Sequence, residues 1–508
     1  MSLVAVQNLP TYERHTPEET TLYKLIQNNW LSFREQVIRD TGHPLPDFVV
    51  KEFEEYLRCG ILAHGFLRVQ CESCHFEHLV AYSCKRRGFC PSCGARRMSE
   101  TAAHLVDCVL PQKPIRQWVM SFPFQLRLCL SVRPKIMARA LEITHSCITK
   151  YYRKKAGLSK SRSKTGAVTL IQRFGGSLNL NVHFHQLYID GCYELGPDGA
   201  PISYKLASTP TVKELDTVLT EIIKRLTRYL ERQNIIAKDD SGTFQLEIPE
   251  EDTFSRLQAA SVTYRFATGP AKGKKALVLK SMPDSDHNSR AGLVAKQSGF
   301  SLHAGVAAGI GERQKLERIC RYIARPAVAE SRLTVDARGD VIYKLKKTWD
   351  DGTTAIKLTP MQLMERLSAL VPRPRVHLTR FHGVLGPHYK FRKMIVPKPA
   401  RNPLTPELSA EAAISQDAGS QTSLNKRISW ARLLKRVFGI DISVCPKCAG
   451  KTRIIAAIEE PKVVKKILNH LGLQTSAPPL LPARGPPEPD ALDIFGYSQE
   501  SLQNSDLR

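Results

Sequence analysis

No stretch of the 508-residue sequence reaches the roughly 18 consecutive apolar residues that a membrane-spanning helix needs. The N-terminus also lacks the charged, apolar and small-residue segments that make up a secretory signal peptide. These absences argue against a membrane protein and against a secreted protein held together by disulfides. We therefore expect the 13 cysteines to lie in a reducing cytosol and to serve as metal ligands.

Acidic residues are scarce relative to basic ones. The 74 Lys and Arg residues outnumber the 48 Asp and Glu residues, so the formal net charge is +26 and the pI is about 9.6. A basic protein attracts a polyanion because each neutralised phosphate releases condensed counterions. Ribosome-associated and membrane-surface proteins share this charge, so the charge alone does not identify the partner.

Helical and strand periodicities alternate along the chain, which contains no internal repeat. Helices are predicted at 18–40, 47–59, 133–154, 211–233 and 312–323, with another starting after Thr359, and strands at 118–130, 167–174, 182–190 and 300–308. The predicted organisation is an N-terminal helical and zinc-binding domain (1–110), a central domain (111–396) with a helical insertion at about 207–256, a linker (397–424), a basic helical module (425–475) and a disordered tail (476–508).

Two CxxC pairs lie close together in the N-terminal part of the chain. Cys71 and Cys74 are separated from Cys90 and Cys93 by 15 residues, a spacing typical of a tetrahedral structural zinc site. Cys84, like Cys59, His75 and His78, lies near enough to replace one of these ligands. A closed four-thiolate site has no open position for a substrate, so this zinc is predicted to be structural.

Basic residues interleave with these cysteines. Arg86, Arg87, Arg96 and Arg97, with Lys85, give the zinc-binding region a surface that would suit DNA phosphates. The alternative is an ordinary solvated charged face. A third CxxC pair, Cys445 and Cys448, has no later cysteine to complete it, so it is interpreted as a half-site whose partner is His470 or nothing.

Two histidines share one face of a predicted strand. Side chains alternate in a strand, so His183 and His185 point the same way while Val182 and Phe184 point into the core. This arrangement is typical of a two-pronged metal ligand, and it would accept Mn²⁺, or Mg²⁺ when oxygen atoms complete the coordination. The alternative is a pair of structural hydrogen-bonding histidines.

A third metal ligand is predicted on the preceding strand. Gln172 would lie across a hairpin from the histidines, and Asp190 is a rival oxygen ligand. The alternative for Gln172 is a surface position.

Tyr322 lies near the end of a predicted helix whose buried stripe comprises Leu316, Ile319, Cys320 and Ile323. The phenol falls off this stripe, among Arg318, Arg321 and Arg325. Such a cationic setting would hold a phosphate while the phenol attacks phosphorus to form a covalent 5′-phosphotyrosine. A packing tyrosine at a helix end is the alternative.

These motifs, in the segments 71–98, 172–191, 299–333, 347–388 and 430–450, resemble the rolling-circle transposases of the ninety-one family of insertion sequences (IS91) and their common-region relatives. The resemblance covers nearly the whole chain. It implies an α+β fold: an antiparallel-sheet His-hydrophobic-His nuclease core flanked by helices, with an N-terminal helical and zinc-knuckle domain and a small C-terminal helical domain. It also implies that His183 and His185 bind the metal and that Tyr322 is the nucleophile.

One departure from the family pattern concerns the nucleophile. Many members resemble two-tyrosine enzymes, whereas Arg318 occupies the position four residues before Tyr322. The chain therefore resembles the single-tyrosine common-region branch. The resemblance implies a transposase that nicks single-stranded DNA at element termini and joins it to target DNA.

The implied enzyme acts with Mg²⁺ or Mn²⁺ at the nuclease site and structural Zn²⁺ at the cysteines. Host replication machinery is an expected partner, the expected location is the cytoplasm in association with the bacterial nucleoid, no membrane is involved, and the sequence gives no oligomeric state. A plasmid replication or transfer nickase is one alternative, although the sequence lacks the GxxxxGK[ST] loop of a helicase region. A zinc-dependent DNA-binding regulator is another.

Overall fold

The computed structural model describes residues 15–238, 244–246, 252–280, 292–397, 445, 447–448 and 450–484. The described helices are α1 Thr21–Thr41, α2 Asp47–Arg58, α3 Pro91–His104, α4 Phe124–Val132, α5 Pro134–Lys155, α6 Val212–Arg232, α7 Thr253–Val262, α8 Arg313–Ile323, α9 Pro360–Leu370, α10 Arg392–Ile395 and α11 Pro461–His470. None of them is long and apolar enough to cross a membrane.

The strands form antiparallel sheets. Those within the described ranges are β1 Phe66–Cys71, β2 Glu77–Ala81, β3 Ile115–Ser121, β4 Ser163–Lys164, β5 Gly166–Phe174, β6 Leu180–Ile189, β7 Gly191–Leu195, β8 Pro201–Leu206, β9 Ile236–Lys238, β10 Phe244–Leu246, β11 Leu277–Lys280, β12 Val294–Gln297, β13 Phe300–Ala308, β14 Leu333–Val335, β15 Val341–Lys344, β16 Thr353–Leu358, β17 Thr379–Gly383 and β18 Thr452–Ile458. Mixed helices and antiparallel sheets confirm the α+β class.

The largest sheet has six strands in the order β12-β13-β3-β6-β5-β17, every neighbouring pair antiparallel. The side chains of β6 alternate between two apolar layers. Val182 and Phe184 are buried with residues of α5 and α6, as the sequence predicts, while Leu187 is buried with residues of α3 and α8. Helices therefore cover both faces of this sheet.

The second half of one predicted strand is wrong. Residues 118–130 read as a single strand, but β3 ends at Ser121 and α4 begins at Phe124. Pro123 occupies the N-cap position of α4. Proline has no backbone N–H for a strand ladder and its fixed φ suits the start of a helix, which accounts for the change of structure here.

The N-terminal helices share a core with later parts of the chain. Trp30 of α1 stacks on Phe53 of α2 with ring centroids 4.4 Å apart. Phe254 of α7 and Leu363 of α9 belong to the same buried cluster. The helix predicted to start after Thr359 is α9. The Thr359 hydroxyl accepts from the Gln362 backbone N–H, and the Gln362 side-chain oxygen accepts from the Thr359 backbone N–H, so a capping box fixes the start of the helix.

The C-terminal region returns to the N-terminal part of the chain. Strand β18 pairs antiparallel with β1, which also pairs with β2. Val464 and Leu468 of α11 are buried against Leu62 and Phe66. The sequence predicts a helical module here and no strand partner for it.

Part of the predicted tail packs on α1. The Gln27 side-chain amide donates to the Pro479 carbonyl at 2.6 Å, and the Arg484 backbone donates to the Ser32 hydroxyl at 2.8 Å. Disorder was expected from residue 476, but residues 476–484 are ordered against this helix. The predicted linker beyond residue 397, the first part of the predicted basic helical module (residues 425–444) and the tail from residue 485 lie outside the described residues.

A pair of half-buried histidines lies between α5, which carries His145, and β17 of the large sheet, which carries His382. His145 and His382 stack with ring centroids 4.4 Å apart, and the Tyr188 hydroxyl lies 2.5 Å from His145 Nδ1. Burial is the main cause that lowers the pKa of His145 to about 3 and that of His382 to about 4. Positive charge nearby also disfavours the protonated form of each ring, that of His145 through His382 and Arg153 and that of His382 through Arg380.

These shifts predict acid lability. An unfolded histidine has a pKa of about 6.5, so the unfolded state binds more protons as pH falls from about 6.5 towards 4, and the free energy of unfolding decreases over that window. His382→Phe keeps an aromatic ring stacked on His145 and removes one of the two imidazoles that titrate. Urea unfolding at pH 7.5 and 5.5 should show a smaller loss of stability in the variant, and an equal loss in both proteins would contradict this explanation.

Candidate active site and metal centres

The two histidines of β6 project from one face of the sheet, towards α8. Their ring centroids are 4.9 Å apart. On the neighbouring strand β5, Gln172 lies directly opposite His183 and Leu170 lies opposite His185. Because opposed residues in a pleated sheet share a face, Gln172 and both histidines converge on one site.

The hydrogen bonds of His183 leave one ring nitrogen free. Its Nδ1–H donates to the Asn181 carbonyl at 2.9 Å, so the lone pair is on Nε2. His185 Nδ1 lies 2.8 Å from the Gln117 side-chain amide. The atom that faces Nδ1 is the amide nitrogen of Gln117; with the amide reversed, its oxygen would accept from Nδ1–H and the lone pair of His185 would be on Nε2 as well.

Gln172 links this site to the helix that carries Tyr322. Its amide nitrogen donates to the Ile323 carbonyl at 3.3 Å, which holds the side chain in place. Gln172 Oε1 and His185 Nε2 are both buried without a hydrogen-bond partner among the described residues. Such orphaned polar atoms are costly in a protein interior unless something binds them. Two imidazoles and one amide oxygen fit a divalent metal ion.

Both imidazoles are neutral near pH 7. Burial, reinforced by the positive charges of Arg325 and Arg127, lowers the pKa of His183 to about 4. Burial, followed by the neighbouring His183, holds the pKa of His185 well below its ordinary value. A neutral imidazole has the lone pair that metal ligation requires, so no proton competes for the site at neutral pH.

Tyr322 lies beside the histidines. Its ring is perpendicular to that of His185 with a centroid separation of 6.4 Å, and its side chain is 43% exposed. The guanidinium of Arg325 lies 4.5 Å and the ammonium of Lys346 lies 4.3 Å from the Tyr322 ring centroid. A solvent-accessible phenol between two cations can meet an anionic substrate.

The predicted arginines around Tyr322 differ in their surroundings. Arg325 contacts the ring, Arg318 is exposed on α8, and Arg321 lies 3.7 Å from Glu317 in an ion pair. The buried stripe of α8 follows the prediction, with Leu316, Cys320 and Ile323 buried and Ile319 partly buried.

Asp190, the rival oxygen ligand, is engaged elsewhere. Its carboxylate lies 2.8 Å from the guanidinium of Arg116 and accepts from the Tyr152 hydroxyl at 2.9 Å. It follows the end of β6, seven positions from His183 along the chain. The alternative assignment of Asp190 to the histidine site is therefore wrong.

Three residues of the site have no counterpart among the sequence predictions. Gln117 orients His185, Lys346 flanks Tyr322, and His303 of β13 pairs with Val119 on the same face of the sheet. Strand alternation would have placed Gln117 on one face of β3. It could not have shown which strand lies next to β3, since that pairing joins distant parts of the chain.

The cysteines form two clusters, not the single site predicted from Cys71, Cys74, Cys90 and Cys93. The first cluster comprises Cys59, Cys84, Cys90 and Cys93, and the second comprises Cys71, Cys74, Cys445 and Cys448. The two sets interleave along the chain: Cys59 precedes β1, Cys71 ends it, and Cys84, Cys90 and Cys93 follow β2. The prediction therefore grouped cysteines that are near in sequence but belong to different sites.

The sulfur separations suit tetrahedral zinc. They are 3.7 Å for Cys59 to Cys93, 3.4 Å for Cys84 to Cys93 and 3.8 Å for Cys90 to Cys59. Zinc–sulfur bonds of about 2.3 Å set a tetrahedral edge of about 3.8 Å. All 13 cysteines lie within the described ranges, and none of them forms a disulfide there. The first cluster fits a structural Zn²⁺ ion with Cys59 and Cys84 as ligands.

The second cluster completes the half-site of the third CxxC pair. Cys71 Sγ lies 3.4 Å from Cys448 Sγ, and Cys74 Sγ lies 3.6 Å from Cys445 Sγ. The backbone N–H groups of Cys74 and Ser73 donate to Cys71 Sγ and lower the pKa of its thiol to about 6. A thiolate at neutral pH is the form that binds zinc, and His470 is not part of this cluster.

The first cluster is close to the helix of Tyr322. Gly94 of α3 packs so tightly on Pro326 that a Cβ on residue 94 would lie 2.5 Å from Pro326 Cβ. Glycine at this position permits the close approach of α3 to the segment that follows α8. The zinc-binding region thereby helps to position the chain beyond Tyr322.

The arginines of the zinc-binding region that are predicted to contact DNA differ in their partners: two pair with carboxylates and two donate to backbone carbonyls. Arg86 is paired with Glu55, and Arg96 lies 2.9 Å from Glu100. Arg87 donates to the Val376 carbonyl at 2.8 Å, and Arg97 donates to two carbonyls at 2.9 Å. Carbonyl partners do not cancel charge, and neither Arg87 nor Arg97 forms a direct ion pair within the described residues, although the buried Glu52 carboxylate offsets both charges in part.

Two family models match the chain. The model described as "Putative transposase" matches residues 166–392, which include the histidines and Tyr322, and the model described as "Transposase zinc-binding domain" matches residues 25–122, which include six of the eight clustered cysteines. No curated protein and no solved structure matched.

Proposed function

We propose, from the premise that this chain belongs to the IS91 family of transposases, that it cuts single-stranded DNA at element termini with Tyr322 and rejoins the strands in rolling-circle transposition. The chain is a transposase and hence a DNA-processing enzyme with a zinc-binding domain. The observation that carries the finer proposal is the perpendicular contact between the rings of Tyr322 and His185, 6.4 Å apart. It supports a phenol and a metal site that act on one phosphate.

The proposed cleavage step conserves the phosphodiester energy. The Tyr322 hydroxyl attacks the scissile phosphorus, and the bond from phosphorus to the 3′ oxygen breaks. The phenol loses its proton, the departing 3′ oxygen gains one, and the downstream strand stays attached through a 5′-phosphotyrosine. Attack by a 3′-OH on this ester reverses the step and joins two strands, so no hydrolytic water is needed.

The residues around the phenol have separate roles in this proposal. Arg325 and Lys346 hold the phosphate against Tyr322 and stabilise its added negative charge in the transition state. His183, His185 and Gln172 would hold a Mg²⁺ or Mn²⁺ ion. When bound, such an ion polarises a non-bridging phosphate oxygen.

A labelled-strand assay tests the proposal. Single-stranded DNA from a terminus of the element that encodes the chain is labelled at its 5′ or its 3′ end and incubated with the protein and Mn²⁺ or Mg²⁺. The 3′ label should remain with the protein on a denaturing gel, and the 5′ label should appear on a shorter strand that a polymerase can extend. A product with a free 5′-phosphate and no adduct would instead indicate hydrolysis.

The role of Gln172 predicts a graded loss of metal affinity. Gln172→Ala removes an oxygen donor and should weaken Mn²⁺ binding by about tenfold, on the scale of ligand-shell changes in other metal sites. Gln172→Glu retains an oxygen donor and serves as the matched control, with binding at least as tight as in the unmodified chain. Paramagnetic resonance of free Mn²⁺ measures the affinity without reference to cleavage. Equal affinities in all three proteins would remove Gln172 from the ligand set.

A further inference from the structure

A basic cavity of about 300 Å³ lies beside the candidate active site. Its walls come from the zinc-binding region, the end of β5, the segment after α8 and residues 370–379. The residues that matter here are Arg87, Arg97, Arg173, Phe174, Arg325 and His377. None of the residues that line the cavity is acidic.

Arg173 is the most informative of these residues. Its side chain is buried, with only 6% of the residue exposed, and within the described part of the chain its Nε and Nη2 atoms have no hydrogen-bond partner. A buried cation without a partner is destabilising, because the protein interior does not replace its hydration. Its position on the cavity wall therefore suits pairing with an anion that enters from outside.

Other arginines increase the positive charge of the cavity. Arg87 and Arg97 both donate to backbone carbonyls, which do not cancel their charges, and the buried Glu52 carboxylate offsets these charges only in part. Arg325 lies within 5.6 Å of the Phe174 ring centroid. Guanidinium groups in a planar fork are well matched to phosphate oxygens.

Phe174 adds a surface for a base. It is partly buried at the end of β5 and lies among residues that line the cavity. Aromatic rings and arginine planes stack on nucleobases in proteins that hold single-stranded nucleic acid. A cavity that combines a buried arginine, surface arginines and one aromatic ring is suited to a nucleotide rather than to a lone anion.

The cavity adjoins both halves of the candidate active site. Gln172, whose carbonyl oxygen is a candidate metal ligand, lines the cavity, and so do Ile323 and Arg325, which follow Tyr322. A strand with its phosphate at Tyr322 would therefore bring a neighbouring nucleotide to the cavity mouth.

We propose that this cavity binds one unstacked nucleotide of the single-stranded substrate, next to the phosphate that is cut, with Arg173 on its phosphate and Phe174 against its base. This inference rests on the proposed function, since it takes the strand at Tyr322 as its starting point. It assigns the zinc-binding region a direct part in substrate binding, through Arg87 and Arg97.

The test measures binding in the Tyr322→Phe background, so that covalent chemistry does not contribute. The probe is a fluorescein-labelled dodecamer of deoxythymidine, titrated with the full-length chain at two salt concentrations. Arg173→Met should weaken binding at least tenfold, and Arg87→Met should lower the slope of log affinity against log salt by about one. Arg228→Met, an exposed arginine of α6, is the matched control and should leave both quantities unchanged.

A second arm separates the base from the phosphate. Phe174→Leu should weaken binding of the thymidine dodecamer about tenfold but leave binding of an abasic dodecamer unchanged. Urea unfolding checks that Arg173→Met is folded, and the exposed Arg87 provides a variant that does not disturb the interior. Unchanged affinity in Arg173→Met and Arg87→Met, or no binding of the dodecamer at all, would overturn the proposal.

The two proposals fail in different ways. If the unmodified chain forms no covalent adduct but Arg173→Met loses affinity, the nucleotide site stands and the tyrosine chemistry is rejected. If the adduct forms and all the variants bind alike, the tyrosine chemistry stands and the nucleotide site is rejected.

Discussion

Tyr322→Phe is expected to abolish the covalent protein–DNA adduct, because the variant keeps the ring between Arg325 and Lys346 and removes only the attacking oxygen. In a covalent mechanism no other group replaces the attacking hydroxyl, so the rate of cleavage should fall by at least a factor of about 10³. Binding of single-stranded DNA should stay within about twofold. A denaturing gel of labelled terminus DNA measures the adduct, and anisotropy measures the binding.

Tyr229→Phe is the matched control for this substitution. Tyr229 is a partly buried tyrosine of α6, on the opposite side of the large sheet, where Arg139 lies over its ring. The same loss of one phenol oxygen there should leave adduct formation unchanged. Peptide mapping of the adduct should also place the DNA on a fragment that contains residue 322. An adduct of normal yield in Tyr322→Phe would show that another residue attacks the phosphate.

Local patterns predicted the parts of the site that lie on single elements. Alternation along β6 placed His183 and His185 on one face and buried Phe184 on the other, because the pleat of a strand fixes these directions. The helical stripe of α8 left Tyr322 off its buried face for the same kind of reason, since a 3.6-residue period is set by the helix itself. The roles of these residues as metal ligands and nucleophile stay predictions.

Contacts between distant segments could not be obtained in this way. Gln117 meets His185 only because β3 pairs with β6, and Lys346 reaches Tyr322 from a segment beyond β15. Neither pairing has a local signal in the sequence. Cysteine spacing was misleading for a related reason: it reports which sulfurs are near along the chain, whereas the clusters are assembled by folding.

The second cluster illustrates the point. Cys71 and Cys445 are more than 370 positions apart, yet strands β1 and β18 pair in a register that brings Cys71 opposite Thr452. The strand pairing and the cysteine cluster occupy the same end of this small sheet, and the apolar contacts of α11 lie on Phe66 and Leu62. Zinc at the second cluster would therefore fasten the C-terminal strand to the N-terminal one.

The two clusters lead to the last prediction, which concerns stability. The unmodified chain should contain two zinc ions, and the double variant Cys445→Ser with Cys448→Ser should contain one, as measured by elemental analysis. Structural zinc contributes on the order of 10 kcal/mol in small zinc-binding peptides, far more than the apolar contacts of one short helix. The double variant should therefore release β18 and α11, and limited proteolysis should remove residues beyond 445 much faster than in the unmodified chain.

The matched variant is Cys90→Ser with Cys93→Ser in the first cluster. These cysteines are buried in the core shared by α1, α2 and α9, so loss of their zinc should destabilise the N-terminal and central regions together and lower the yield of folded protein. Cys74 and Cys448 are exposed, whereas Cys59, Cys90 and Cys93 are buried, so a chelator should extract the zinc of the second cluster first. One zinc ion in the unmodified chain, or two in the Cys445 and Cys448 variant, would refute the pairing of Cys71 and Cys74 with the C-terminal cysteines.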